Sequence, residues 1–189
     1  EAWFTHIPGL KVDDPSNAHD AKGLLLTAFE DPNPVMFFEH KALYRSHSTE
    51  VPEAYYNIPF GQAVSAAKGS EVAIITYGMG VHWAKQASEE LSISAEIIDL
   101  RTLVPMDWRA ILEAVKKCGR VLILHEDTLF GGIGGEIAAH ISEHAFEQLD
   151  APIKRVASRD TAVPFNPNLE QEFLASARLK KALEEVLAY

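Results

Sequence analysis

Two strand-like runs end in groups able to do chemistry. The first closes in IIDLRTLVPMD and puts Asp99 and Arg101 at a strand end. The second opens onto HEDTLFGGIGGEI, so His125 and Glu126 precede the loop Gly131-Gly132-Ile133-Gly134-Gly135. A histidine exchanges a proton near neutral pH, and an adjacent carboxylate adds negative charge. Strand ends are also where ligands bind in open α/β sheets. The alternative is that both are rim residues hydrogen-bonded to fix the glycine loop. Backbone N–H groups at the start of the helix after that loop can hold an anion. Its spacing, however, is neither the dinucleotide fingerprint nor a Walker loop. Glycine there equally allows tight packing against a partner or a cofactor. Asp99 and Arg101 can pair with each other or anchor the turn at 102–107.

Other candidates are weaker. Asp31 and Asn33 bracket Pro32, and their oxygens can serve a hard cation or simply turn the chain. His40 and Lys41 follow an apolar run that also ends at a rim. His140 and His144 stand four apart, the spacing of two metal ligands on a helix, but no HExxH pattern or third ligand accompanies them. No GxSxG elbow is present. The one cysteine, Cys118, lies near a helix end and reads as a structural thiol; it permits no internal disulfide and fits a reducing compartment.

The elements that position these residues follow from hydropathy. Residues 1–10 read as a helical turn closed by Pro8-Gly9, followed by a brief strand over Leu10 to Val12. Ser16 or Asn17 caps a helix carrying Leu24, Leu25, Ala28 and Phe29 at helical spacing. Gly23 inside it suggests close packing. Pro32 and Pro34 end that helix, and Val35 to Phe38 is a wholly apolar strand. His40 to Pro59 is polar and irregular, a linker lying along a surface. Strands are then predicted at Ser70 to Tyr77, Ile93 to Asp99, Arg120 to Leu124 and Ile153 to Val156. Helices are predicted at Val81 to Leu91, Trp108 to Lys117, Gly134 to Phe146 or Leu149, and Ala177 to Leu187; Leu169 to Phe173 is ambiguous. Repeated βα units with short loops define an α/β fold with a mostly parallel sheet covered on both faces.

Bulk properties bound the rest. A chain of 189 residues that is 47% hydrophobic builds a core. A net charge of -10 argues against a nucleic-acid footprint and against an anionic membrane surface. It suits solubility, or a basic protein partner. Neither nucleic acid nor membrane is expected as a partner. The opening EAWFTHIPGLKV, apolar from its first turn, suggests a start inside a domain.

At this point the chain resembles a family. EAWFTHIPGLKV, DAKGLLLTAFEDPNPVMFFEHKALYR, EVAIITYGMGVHWA, AEIIDLRTLVPMD, GRVLILHEDTLFGGIGGEIAAHI and DAPIKRVASRDTAVPF are collinear with the beta subunit of the thiamine-diphosphate-dependent first component of 2-oxo acid dehydrogenase complexes. FFEHKALYR followed by EVP looks most like the branched-chain type. The resemblance implies a C-terminal part of a pyrimidine-binding domain at 1–48, a linker at 49–59 and a transketolase C-terminal-like domain at 60–189.

It also implies what is missing. The family's activating glutamate and the histidine of its HSQ-like motif map upstream of Glu1, so no catalytic or cofactor-binding residue is assigned here and the chain alone is expected to be inactive. In the full assembly, thiamine diphosphate and magnesium are held mainly by the alpha subunit. The family's structural potassium points to Asp31 and Asn33. His125, Glu126 and the glycines become supporting residues. Implied partners are the alpha subunit, a second beta subunit, the lipoyl acyltransferase component and a 2-oxo acid substrate. Arg45 is expected at a subunit junction. Glu170, Glu172, Glu184 and Glu185 are expected on a docking rim. A bacterial cytoplasm, or alternatively a mitochondrial matrix, is the implied setting. The alternatives are a pyruvate or acetoin dehydrogenase beta subunit, or a non-catalytic dimerisation or docking module.

Overall fold

A computed structural model describes residues 1–189. Two sheets organise the chain. The larger is built on β4 (Val72–Thr76) and β5 (Ala95–Asp99), in which every residue is buried. β7 (Val121–Thr128) continues it, β8 (Lys154–Ser158) forms one edge and β3 (Val64–Ala67) the other. Its order is β3-β5-β4-β7-β8, with only β3 antiparallel.

Alternation along the central strands feeds two cores. Ala73, Ile75, Val121 and Ile123 face one side, under α5 (Trp108–Cys118) and α6 (Gly134–His144). Val72, Ile74, Leu122 and Leu124 face the other, under α4 (Met79–Leu91) and α8 (Ser176–Leu187). Strands buried on both faces read as unbroken apolar runs, which is why EVAIITY was legible. Helix ends follow local chemistry. Asp107 caps α5 by accepting from the Ala110 N–H, and Gly119 closes it at φ 68°.

The smaller sheet has the order β2-β1-β6. β1 (Lys11–Asp13) and β2 (Val35–Phe37) are parallel and joined by α2 (Ala18–Glu30). β6 (Thr102–Val104) comes from the C-terminal portion and pairs antiparallel with β1. The stretch read from sequence as a turn at 102–107 therefore begins as a strand that ties the two portions together. The turn into β6 places Arg101 at φ 60°.

Four other segments go beyond or differ from expectation. β3 went unread because VSAA is short and carries little hydrophobic contrast. α6 stops at His144, and a single 3-10 turn covers Phe146–Gln148. The ambiguous 169–173 stretch belongs to α7 (Pro167–Phe173), which Asn166 caps and Pro167 opens. The 40–59 stretch contains the short α3 (Leu43–Ser46) and otherwise straps along α2. Ile58 is buried there, and a Cβ on Gly23 would lie 2.6 Å from it, so close packing is the role of that glycine.

Candidate functional site

The C-terminal ends of β1, β2, β4 and β7 converge on a cleft of about 360 Å³. Asp14 follows β1, His40 follows β2, Tyr77 follows β4, and Glu126 and Asp127 lie in the last part of β7. His40 Nε2 and Glu126 Oε2 are 2.6 Å apart and bridge the two sheets. Acceptance by Glu126 raises the His40 pKa above its ordinary value, against the opposing effect of burial. Asp14 is raised well above the usual carboxylate range, first by burial and then by Glu1, Asp99 and Glu126. Tyr77 donates to Glu1, whose own pKa is raised by burial. This cluster is a set of acids and one imidazole around an apolar wall that includes Phe38 and Phe173.

His125 and Glu126 do not act together, because adjacent strand residues point to opposite faces. Glu126 enters the cleft. His125 is 0% exposed, and neither ring nitrogen has a hydrogen-bond partner. Burial holds its pKa down to about 4, so the ring is neutral at physiological pH and does not exchange a proton there. It packs beneath the glycine loop. A Cβ at Gly134 would come within 2.6 Å of His125 Nε2, and one at Gly132 would meet its Cε1 and the Thr128 carbonyl at 2.5 Å. These glycines are therefore required by the buried ring and by close backbone approach. Gly134→Ala is expected to cost about 1–3 kcal/mol by overpacking. Adding His125→Ala should restore part of it, which a denaturant titration of the single and double variants will read.

The other candidates scatter. Asp99 anchors the turn, as expected of one of its two readings: it accepts from the Arg101 N–H at 3.0 Å and from Ser16 Oγ at 2.5 Å. The Arg101 side chain instead makes two bonds to Asp20, at 2.8 and 2.9 Å. Sequence reasoning missed this pair, since 81 residues separate the partners. It likewise missed His40–Glu126, 86 residues apart. His140 stacks between Trp108 and His144 at 3.9 and 4.1 Å. No group of three or more His, Cys, Asp or Glu side chains is arranged to hold a metal ion. Cys118 is buried, and burial raises its thiol pKa. The four glutamates do not share one rim: Glu170 lines the cleft on α7, whereas Glu185 on α8 holds Lys154.

At the Asp31–Asn33 turn, Asp31 accepts from the Lys11 ammonium and, at 2.9 Å each, from the Asn33 backbone and side-chain amides. These donors hold its carboxyl down at about 2, Lys11 first. As folded, this donor set does not fit a potassium ion, because a lysine ammonium already occupies the carboxylate. The cleft does not fit a diphosphate either, since its carboxylates would repel one.

This double sheet, with a strand-end cleft between its parts, is the architecture of a known class. Residues 61–178 match the transketolase C-terminal domain, and residues 1–47 match the transketolase pyrimidine-binding domain. The chain belongs to the transketolase-like family that includes the beta subunits of 2-oxo acid dehydrogenase first components. It is 46% identical over its full length to 2-oxoisovalerate dehydrogenase subunit beta of Bacillus subtilis. It is 44% identical, again over its full length, to the pyruvate dehydrogenase E1 component subunit beta of Rickettsia felis. Over 92% of the chain it is 46% identical to the acetoin:2,6-dichlorophenolindophenol oxidoreductase subunit beta of Cupriavidus necator. The chain spans 59% of the length of the first two relatives and 52% of the third. A solved split-gene transketolase, described as an inactive beta4 tetramer, superposes with a TM-score of 0.80 at 24% identity. That match covers 99% of this chain and 60% of the other, and it speaks to fold alone.

Proposed function

We propose that this chain is the C-terminal portion of a beta subunit in a 2-oxo acid dehydrogenase of the branched-chain type. The 46% identity, over the whole of this chain and 59% of the relative, to the Bacillus subtilis 2-oxoisovalerate dehydrogenase subunit beta carries this reading. Within the assembly, thiamine diphosphate would supply the electron sink for decarboxylation, before acyl transfer to a lipoyl group. This chain contributes a wall and a docking surface, and it works with an alpha subunit, a second beta subunit and the lipoyl acyltransferase component. Three large aromatics support a partnered surface: Trp3 and Phe130 are each 86% exposed, and Phe165 is fully exposed. A bacterial cytoplasm fits the same reading. A potassium ion would reach the Asp31–Asn33 turn only by displacing Lys11, so potassium-specific stabilisation should be larger in Lys11→Met.

Pyruvate is the second reading, because the Rickettsia felis relative is only slightly less similar. Reconstitution of the complete subunit with its alpha partner decides between them. The branched-chain reading requires kcat/KM for 2-oxoisovalerate to exceed that for pyruvate by about tenfold or more. A preference for pyruvate overturns it. The 189-residue chain alone is expected to show no thiamine-dependent turnover; turnover would refute its role as a portion.

A further inference from the structure

We propose that His40 and Glu126 form a proton-controlled latch across the cleft between the two sheets. The bond joins the loop after β2 to the outer end of β7, at 2.6 Å, with side chains 26% and 40% exposed. It therefore sits at the mouth of the cleft, where water and protons reach it.

Its surroundings set the direction of the switch. On its own segment, Glu39 lines the cleft and Lys41 is exposed. Asp14 faces it from the end of β1, Glu1 from the start of the chain, and Asp127 from β7. Glu170 approaches from α7 and the Tyr77 hydroxyl from β4. On the α4 side stands His82, whose pKa is lowered, first by burial. Most of these groups are acids; the positive charges inside the cleft are the His40 cation and the α-ammonium of Glu1, which acts on Glu1 and Asp14.

When His40 is protonated, it neutralises Glu126 and donates to it. As pH rises through its elevated pKa, that cation is lost. Asp14 and Glu1, whose pKa values burial raises, add negative charge to the same cleft once they ionise. Repulsion among unpaired carboxylates then opposes closure. For a histidine raised on folding, the stabilisation is present below the unfolded pKa and fades as pH passes the folded one. The latch is closed in acid and loosened in base.

Other ties keep the two portions from separating. Arg101 holds Asp20, and the His82 ring bonds the Ser16 carbonyl at 2.7 Å. The opening is therefore local, confined to residues 38–41 and 126–128.

Amide hydrogen exchange on the complete protein, corrected for intrinsic rates, tests this between about pH 6 and about pH 9. Protection of residues 38–41 and 126–128 should fall about tenfold across that range. His40→Gln retains a donor but cannot titrate, and should abolish the step. Ring resonances give a second reading that does not depend on the His40 variant folding: the His40 midpoint should drop toward about 6.5 in Glu126→Gln. Unchanged protection in the parent, an equal step in His40→Gln, or a midpoint indifferent to Glu126→Gln would each overturn the latch.

Discussion

Asp13→Asn is expected to stabilise the protein by about 2–4 kcal/mol at neutral pH and above. Asp13 lies on β1, is 0% exposed, and neither of its carboxyl oxygens has a hydrogen-bond partner. Lys11, two residues away on the same face, is drawn to Asp31 instead. Burial raises the Asp13 pKa to about 7, with Lys11 opposing and Asp31 adding to the rise. The sign follows from proton counts. In the unfolded chain the carboxyl ionises near its ordinary value of about 4, whereas the folded protein keeps the proton up to about 7. Between those values the folded state binds more protons, so stability falls as pH rises and then levels off. Asparagine carries no such charge, and its stability curve should lack this decline. Asp13→Val should stabilise further, because it also removes the unsatisfied oxygens and suits a strand. Urea unfolding at several pH values measures both effects. A parent curve flat from about pH 4 to about pH 8 would show that Asp13 is not carrying a buried charge.

Loss of the Arg101 guanidinium should have the opposite sign and a larger size. Arg101→Met leaves the Asp20 carboxylate, only 3% exposed, without its bidentate partner. Stranding one member of a buried pair costs about 3–5 kcal/mol. Asn17 also bonds Asp20, but it is neutral and cannot replace the charge. Backbone strain is a competing cause, since Arg101 sits at φ 60°. Arg101→Gly separates the two: glycine adopts that φ readily, so a large loss in this variant must come from the missing guanidinium. A second check is Asp20→Asn in the Arg101→Met background, which should recover part of the loss because no buried charge remains. Recovery with glycine alone would instead assign the effect to the backbone. The pair fastens the first turn of α2 to the turn before β6, so its loss should also raise hydrogen exchange in both segments.

Much of this protein was legible in its residues because the information was local. EVAIITY and GRVLIL read as central strands since each residue on either face finds a core, and the helices between them carried one apolar stripe each. The α5 cap and the glycine after Cys118 follow from backbone chemistry within a few residues, and Gly23 signalled close packing although its partner, Ile58, is distant in the chain. The collinear motifs also pointed to the family that the domain matches establish. What the residues did not reveal was pairing across the chain. β6 looks like a turn until β1 lies beside it, and β7 looks finished at Leu124 until Thr128 meets Ser158. His125 and Glu126 read as one unit, yet the pleat of a strand sends them to opposite faces. Glu126 then finds His40, and Arg101 passes over Asp99 for Asp20, because the fold brings charges together that are more than 80 residues apart in the chain. Local structure depends on neighbours and periodicity, which a sequence displays. Which charge meets which depends on how two sheets dock, and that is decided by the packing of the whole core.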